Sequence, residues 1–179
     1  MSNQGFEPSG GGGLPAVPRR SFLQFGGTGL ALGTVLSRGG GSDEEDIRSM
    51  RVQRTEAAVR RVLHTIETGS TSAIWRLFAD DGVVEFPFTG ARYTDFASFD
   101  AALAPFFAAL DGFSYTDPTF ESLGDPQALI AKYKAHAVVN FTGKAYDQTY
   151  ITEVHLRRGK VTSWAEYFDT AVLNEAFTP

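Results

Sequence analysis

From residue 129 to residue 169 the sequence alternates apolar or small side chains with polar ones through three successive stretches, interrupted only by Thr142-Gly143 and Arg157-Arg158-Gly159. A two-residue period sustained over such lengths is the mark of half-buried strands. Glycine in both interruptions fits tight turns. Residues 129–141, 144–156 and 160–169 are therefore expected to form a three-stranded antiparallel meander. This constrains the chain more than any other feature, because alternation also sorts every side chain onto one face or the other.

On the first strand one face carries Tyr133, Ala135, Ala137, Val139 and Phe141, and the other Lys132, Lys134, His136, Val138 and Asn140. On the second, Tyr146, Gln148, Tyr150, Thr152, Val154 and Leu156 share the more apolar face; on the third, Trp164, Glu166 and Phe168 do. The apolar faces are expected to look inward. A triad of Lys134, His136 and Glu166 would need one strand to slip by a residue, and a buried face resists such slips.

Ahead of the meander, residues 47–68 place Ile47, Val52, Ala58, Val59, Val62, Leu63 and Ile66 at helical spacing, closed by Gly69-Ser70. The acidic run 43–46 is either a solvated linker or a helix start favoured by the helix dipole. A second, shorter helix capped by Thr71 or Ser72 is expected to end at Asp80-Asp81-Gly82. Residues 83–88 and 91–93 read as a short strand pair. Residues 99–110 read as a helix that Pro105 kinks or confines to an early turn, and 113–122 as one strand disturbed at Asp117-Pro118. Residues 171–177 form a final helix. Helices gathered on one face of an antiparallel sheet give an α+β fold, here a curved, cone-shaped sheet wrapped over the N-terminal helices.

The 179 residues are 42% hydrophobic and 13% aromatic, enough for one sizeable core. Arg19, Arg20 and Arg38 outweigh Glu7 in the first forty-two residues, so the remainder is more acidic than the overall net charge of −5. With no basic stripe to meet phosphates, nucleic-acid binding is not expected. Cysteine is absent, which excludes disulfides and thiolate chemistry. His64, His136 and His155 lack metal-ligand spacing. Neither a metal nor an organic cofactor is expected.

Residues 1–45 are expected to be a disordered leader and linker ahead of a domain at 46–179. Residues 1–18 are rich in Gly, Pro and Ser, and Arg19-Arg20-Ser21-Phe22-Leu23-Gln24 then opens a weakly apolar, glycine-spaced run to Leu36. This arrangement resembles a twin-arginine export signal whose apolar run is too short to span a bilayer. It implies an exported protein, periplasmic or extracellular, in transient contact with export machinery. The other reading is a glycine-rich tail with a chance arginine pair on a cytoplasmic protein. No Ala-x-Ala cleavage site follows. Gly27-Thr28-Gly29 lacks the preceding strand and glycine spacing of a dinucleotide fingerprint.

Two segments carry a resemblance to a known family: Leu77-Phe78-Ala79-Asp80-Asp81-Gly82-Val83-Val84-Glu85-Phe86-Pro87, and Thr142-Gly143-Lys144-Ala145-Tyr146 through Trp164-Ala165-Glu166-Tyr167-Phe168-Asp169. From about Asp46 onward the chain resembles the nuclear transport factor 2-like superfamily, in its SnoaL-like branch of cofactor-independent enzymes. The first segment is similar to ketosteroid isomerase and the second to limonene-epoxide hydrolase. The resemblance implies a cone-shaped fold and a homodimer through the outer sheet face.

Carried over position by position, the isomerase's general-base Asp falls on Phe86 and its oxyanion-hole Tyr and Asp on or near Val62 and Thr152. A carbon acid cannot lose its proton to Phe86, so steroid isomerase chemistry is disfavoured. The epoxide hydrolase's second Asp corresponds to Glu166, its Arg and first Asp to Tyr133 and Ala135, and its Tyr and Asn to Val84 and Phe86. One acid of that apparatus remains.

The expected site is thus an apolar pocket for a lipophilic small molecule, with Glu166 and Tyr133 as catalytic residues. Val84, Phe86, Gln148, Tyr150, Trp164 and Phe168 would bind substrate. A carboxyl desolvated among aromatics has a raised pKa, suited to acid or base work near neutrality. The reaction would be an isomerisation, cyclisation, dehydration or hydrolysis. The alternatives are that Glu166 is outward or salt-bridged to a surface arginine and the aromatics are core, or that the domain is a non-catalytic exported module that binds a hydrophobic ligand or mediates dimerisation.

Overall fold

The computed structural model describes residues 40–116 and 118–179. The leader, the Arg19-Arg20 pair and Asp117 lie outside the described residues. In chain order the elements are α1 (Gly40–Ile66), α2 (Thr71–Trp75), β1 (Phe78–Phe86), β2 (Ala91–Tyr93), α3 (Phe96–Ala108), β3 (Leu110–Tyr115), β4 (Thr119–Ser122), β5 (Ala128–Val139), β6 (Ala145–Arg157), β7 (Lys160–Phe168) and α4 (Thr170–Phe177). All seven strands join one curled sheet in the order β2-β1-β7-β6-β5-β3, with β4 also paired to β5. Every pairing is antiparallel except β1 against β7, which is parallel. The fold is the expected α+β class.

The alternation of residues 129–169 becomes the β5-β6-β7 meander, in register from Ala128↔His155 to Val138↔Ala145 and from Tyr150↔Phe168 to Arg157↔Lys160. Parity holds along it. Tyr133, Ala135, Ala137 and Val139 on β5, and Tyr146, Gln148, Tyr150, Thr152, Val154 and Leu156 on β6, are buried. Lys132, Lys134, His136 and Val138 face out, which separates Lys134 and His136 from Glu166. Phe141 departs from its expected inward place: β5 ends at Val139, and Phe141 lies 57% exposed beyond it, edge-on to Phe177.

The inner face is closed by α1, whose Val59, Val62, Leu63 and Ile66 pack on Leu129, Ala131, Tyr133 and Ala135. Each such fully buried aliphatic side chain contributes roughly 1.5–3 kcal/mol relative to exposure. A second cluster, with Leu110, Val139 and Tyr146 at its centre, seats α4 and Phe106 of α3 at the other end of the meander.

Several local expectations are corrected. Helix α1 starts at Gly40 and takes in the acidic run, with Asp43 in the first turn where the dipole favours it. Ser70 rather than Thr71 or Ser72 caps α2, accepting from the Ala73 amide, while the Thr71 hydroxyl donates to Asp100. Helix α2 stops at Trp75, so Asp80-Asp81-Gly82 lies inside β1 instead of ending a helix. The strand slips register against β7 there. Gly82 explains the bulge: a Cβ on it would sit 2.8 Å from the Ala79 carbonyl and 3.1 Å from that of Val161.

Asp95 caps α3 through the Ser98 amide at 2.8 Å and starts it before Phe99, and the helix continues through Pro105. Residues 113–122 divide into β3 and β4, which pair in succession along the same edge of β5.

Candidate functional site

The curl of the sheet leaves a cavity of about 220 Å³ between its inner face and α1, α2 and α3. Val84 and Phe86 of β1, Tyr150 of β6 and Trp164, Glu166 and Phe168 of β7 line it. Alternation puts each on the inner face of its strand, and the parallel pairing sets Val84 beside Trp164. In the aromatic wall Phe86 meets Tyr93 at 5.9 Å and Phe168 at 5.7 Å edge to face, whereas Tyr150 stacks on Tyr133 at 5.3 Å.

Glu166 is the one carboxylate in this lining. It is 8% exposed and has no arginine partner among the described residues, so it is neither outward nor salt-bridged there. Its hydrogen bonds all end on Oε2: the Tyr133 hydroxyl donates at 2.5 Å, the Trp164 indole N–H at 3.1 Å and the Thr152 hydroxyl approaches at 3.5 Å. Oε1 takes none of these bonds. No buried polar side-chain atom is left unsatisfied among the described residues, so Oε1 is open to the cavity it lines.

Burial pushes the Glu166 carboxyl above its ordinary range, and the bonds from Tyr133, Trp164 and Thr152 pull partly against that shift. Burial, helped by the nearby Glu166 charge, holds Tyr133 well above the ordinary phenol range, so its hydroxyl stays a donor. The Thr152 hydroxyl, 2.7 Å from the phenol oxygen and 3.5 Å from Oε2, has one proton to share between these two acceptors.

Two expected site residues occupy other places. Tyr133 is absent from the cavity lining and stands behind Glu166, holding it. Gln148 is spent on the backbone: its Nε2 donates to the Asp169 carbonyl at 2.8 Å, and its Oε1 accepts from the Thr149 and Asp169 amides. It ties β6 to the start of α4. The positions to which the resemblance assigned lost functions still surround the acid. Val62, Val84 and Phe86 line the cavity, and Tyr133 and Thr152 bond to Glu166.

Tyr93, Tyr115 and Tyr146 also line the cavity, and sequence reasoning did not select them as site residues. The signal was present in parity: Ala91 and Tyr93 share a face of β2, and Phe113 and Tyr115 a face of β3, all four lining the cavity. The Tyr146 and Tyr150 hydroxyls bond to each other at 2.7 Å. Whichever accepts keeps its own proton for a ligand. Burial raises the Tyr146 phenol to about 12. No group of three His, Cys, Asp or Glu among the described residues is placed to hold a metal ion.

The profile of the SnoaL-like domain matches residues 59–164, from α1 to the Trp164 wall. The chain belongs to the SnoaL-like domain family. The family lies within the nuclear transport factor 2-like superfamily, and the neighbours agree with that placement. YesE of Bacillus subtilis strain 168 is 33% identical over 64 residues, which cover 36% of this chain and 44% of YesE. The match thus spans less than half the length of that relative.

Two solved structures share the SnoaL-like fold. A Bacillus subtilis protein provisionally named an isomerase superposes with a TM-score of 0.64 at 22% identity, over 71% of this chain and 94% of its own. A provisionally named polyketide cyclase of Xanthomonas campestris gives 0.63 at 18%, over 72% and 99%. At these identities the likeness establishes the fold.

Proposed function

We propose that this SnoaL-like chain is a cofactor-independent enzyme that moves a proton on a lipophilic small molecule enclosed in the cone, with Glu166 as acid and base. The asymmetry of that carboxyl carries the reading: one oxygen is saturated by donors, the other meets the cavity. Because Oε2 is occupied as an acceptor, the proton of the neutral acid resides on Oε1, facing the ligand. Transfer of that proton to a substrate oxygen or carbon leaves a carboxylate whose charge Tyr133 and Trp164 already stabilise. Recapture of a proton from a second substrate position would complete an isomerisation or a cyclisation. The Tyr146–Tyr150 pair supplies a hydroxyl for a substrate oxygen.

The largely apolar wall supports a second reading, in which the cone holds a hydrophobic ligand without turnover. Incubation with a lipophilic extract of the host, followed by mass spectrometry of bound and free compounds, separates the two. Wild type is expected to capture and convert a compound that Glu166→Gln captures unchanged. Conversion at an undiminished rate by Glu166→Gln removes the proposal, and capture without conversion by either protein favours the binding reading.

The same proposal includes export through the Arg19-Arg20 signal and a homodimer through the outer sheet face, where Val138 and Ile151 are 37% and 46% exposed. Arg19→Lys with Arg20→Lys should retain the protein inside cells on fractionation. Sedimentation should give twice the chain mass.

A further inference from the structure

At the opposite end of β6 from Tyr146, a cleft of about 460 Å³ opens between α1 and the β6–β7 turn. It shares no lining residue with the cone cavity. Arg51 and Arg54 of α1 line one side, Arg158 and Gly159 of the turn another, and Gln127 closes it beside the buried Leu156. Among the described residues, no carboxylate lines it. Among the described residues, none of the three guanidinium groups has an ion-pair or hydrogen-bond partner. Asp81 pairs with Arg157, and Asp125 accepts from the Gln127 amide; neither lines the cleft.

The backbone makes the cleft rigid. Thr55 donates to the Pro126 carbonyl at 2.8 Å, and the Leu156 amide donates to the Gln127 carbonyl at 2.8 Å, so the Pro126-Gln127 segment is clamped to both walls. The turn adds a separate observation. Arg158 is the one non-glycine among the described residues at positive φ, +53°, followed by Gly159 at +78°. Both central residues of this hairpin are left-handed, a geometry that Asn or Gly adopts at lower cost than arginine. A residue held against its backbone preference points to a use for its side chain.

We propose that this cleft binds a phosphate-type oxyanion. Three like charges in one concavity repel one another, and an anion reverses that repulsion. Guanidinium groups match phosphate oxygens with paired N–H donors. Three of them balance a phosphate monoester or diphosphate better than a single carboxylate, and the Gln127 amide adds a neutral donor. The phosphate could belong to a soluble ligand or to a lipid headgroup, and the same chemistry would recognise either.

Calorimetric titration of the full chain with inorganic pyrophosphate at low ionic strength tests the first source, with acetate as control. Sedimentation with phosphatidylcholine vesicles, with and without phosphatidic acid, tests the second. Saturable binding in either arm, weakened roughly ten- to hundredfold by Arg51→Gln and by Arg158→Gly, is the expected result and names the source. Arg158→Gly should melt no lower than wild type, because glycine accepts the left-handed turn, so a loss of binding cannot be assigned to unfolding. Binding of an apolar dye in the cone should be unchanged in both variants. No binding in either arm, or binding indifferent to both substitutions, overturns the proposal.

Discussion

The phenol of Tyr133 and the carboxyl of Glu166 meet at 2.5 Å on Oε2, and this contact decides which oxygen of the acid faces the cavity. Tyr133 is therefore a positioning residue. Removing its hydroxyl leaves Thr152 and Oε2 each short of a buried partner. Tyr133→Phe is expected to lose about 1–3 kcal/mol of stability in denaturant unfolding. It should also raise the Glu166 pKa further, because the lost bond favours the charged form; carbon-13 titration of the Glu166 carboxyl reads this directly.

Glu166 should leave a signature in the pH dependence of stability. Its folded pKa lies above the ordinary 4.5, so between those two values the native state binds more protons than the unfolded state. Stability then falls as pH rises through that window and levels off above the folded pKa. Glu166→Gln, whose amide oxygen can accept the bonds now made to Oε2, lacks this slope. Unfolding free energies of both proteins across the acid range should converge at low pH relative to their separation near neutrality, with the variant the more stable there. Parallel curves would contradict the assignment.

Gln148 is expected to affect the C-terminal helix and not the acid. Gln148→Ala leaves the Asp169 and Thr149 amides without the side-chain acceptor they now share. The expected cost is about 1–3 kcal/mol, with faster hydrogen exchange in α4 and an unshifted Glu166 titration.

Gly82→Ala tests the bulge in β1. A methyl group there must displace the Ala79 or Val161 carbonyl, both backbone atoms. A loss of about 1–3 kcal/mol in thermal or chemical unfolding is expected.

The meander is legible in the sequence because a two-residue period with one buried face allows a single register, and that register puts Trp164, Glu166 and Phe168 on one wall. Parity fixes a face and says nothing of depth or partners. Tyr133 and Gln148 share the inward face with Tyr150, yet the first lies behind the acid and the second grips backbone, because Thr152 and Asp169 happen to stand where their polar ends arrive. The Asp80-Asp81-Gly82 segment misled for another reason. Acidic residues before glycine signal a helix end locally, whereas here Asp81 reaches Arg157, 76 positions away, and Gly82 admits a carbonyl from β7. Such long-range contacts leave no periodic trace.

The parallel pairing of β1 with β7 has a kinetic consequence. Hairpin neighbours such as β5 and β6 can zip as soon as both have left the ribosome, but Val84 waits for Trp164 from the far end of the domain. Closing so long a loop is entropically slow. The wall that carries Glu166 is thus assembled late, and until it closes β1 presents an unpaired edge. A nascent chain stalled before β7 would contain most of the sheet and no chamber.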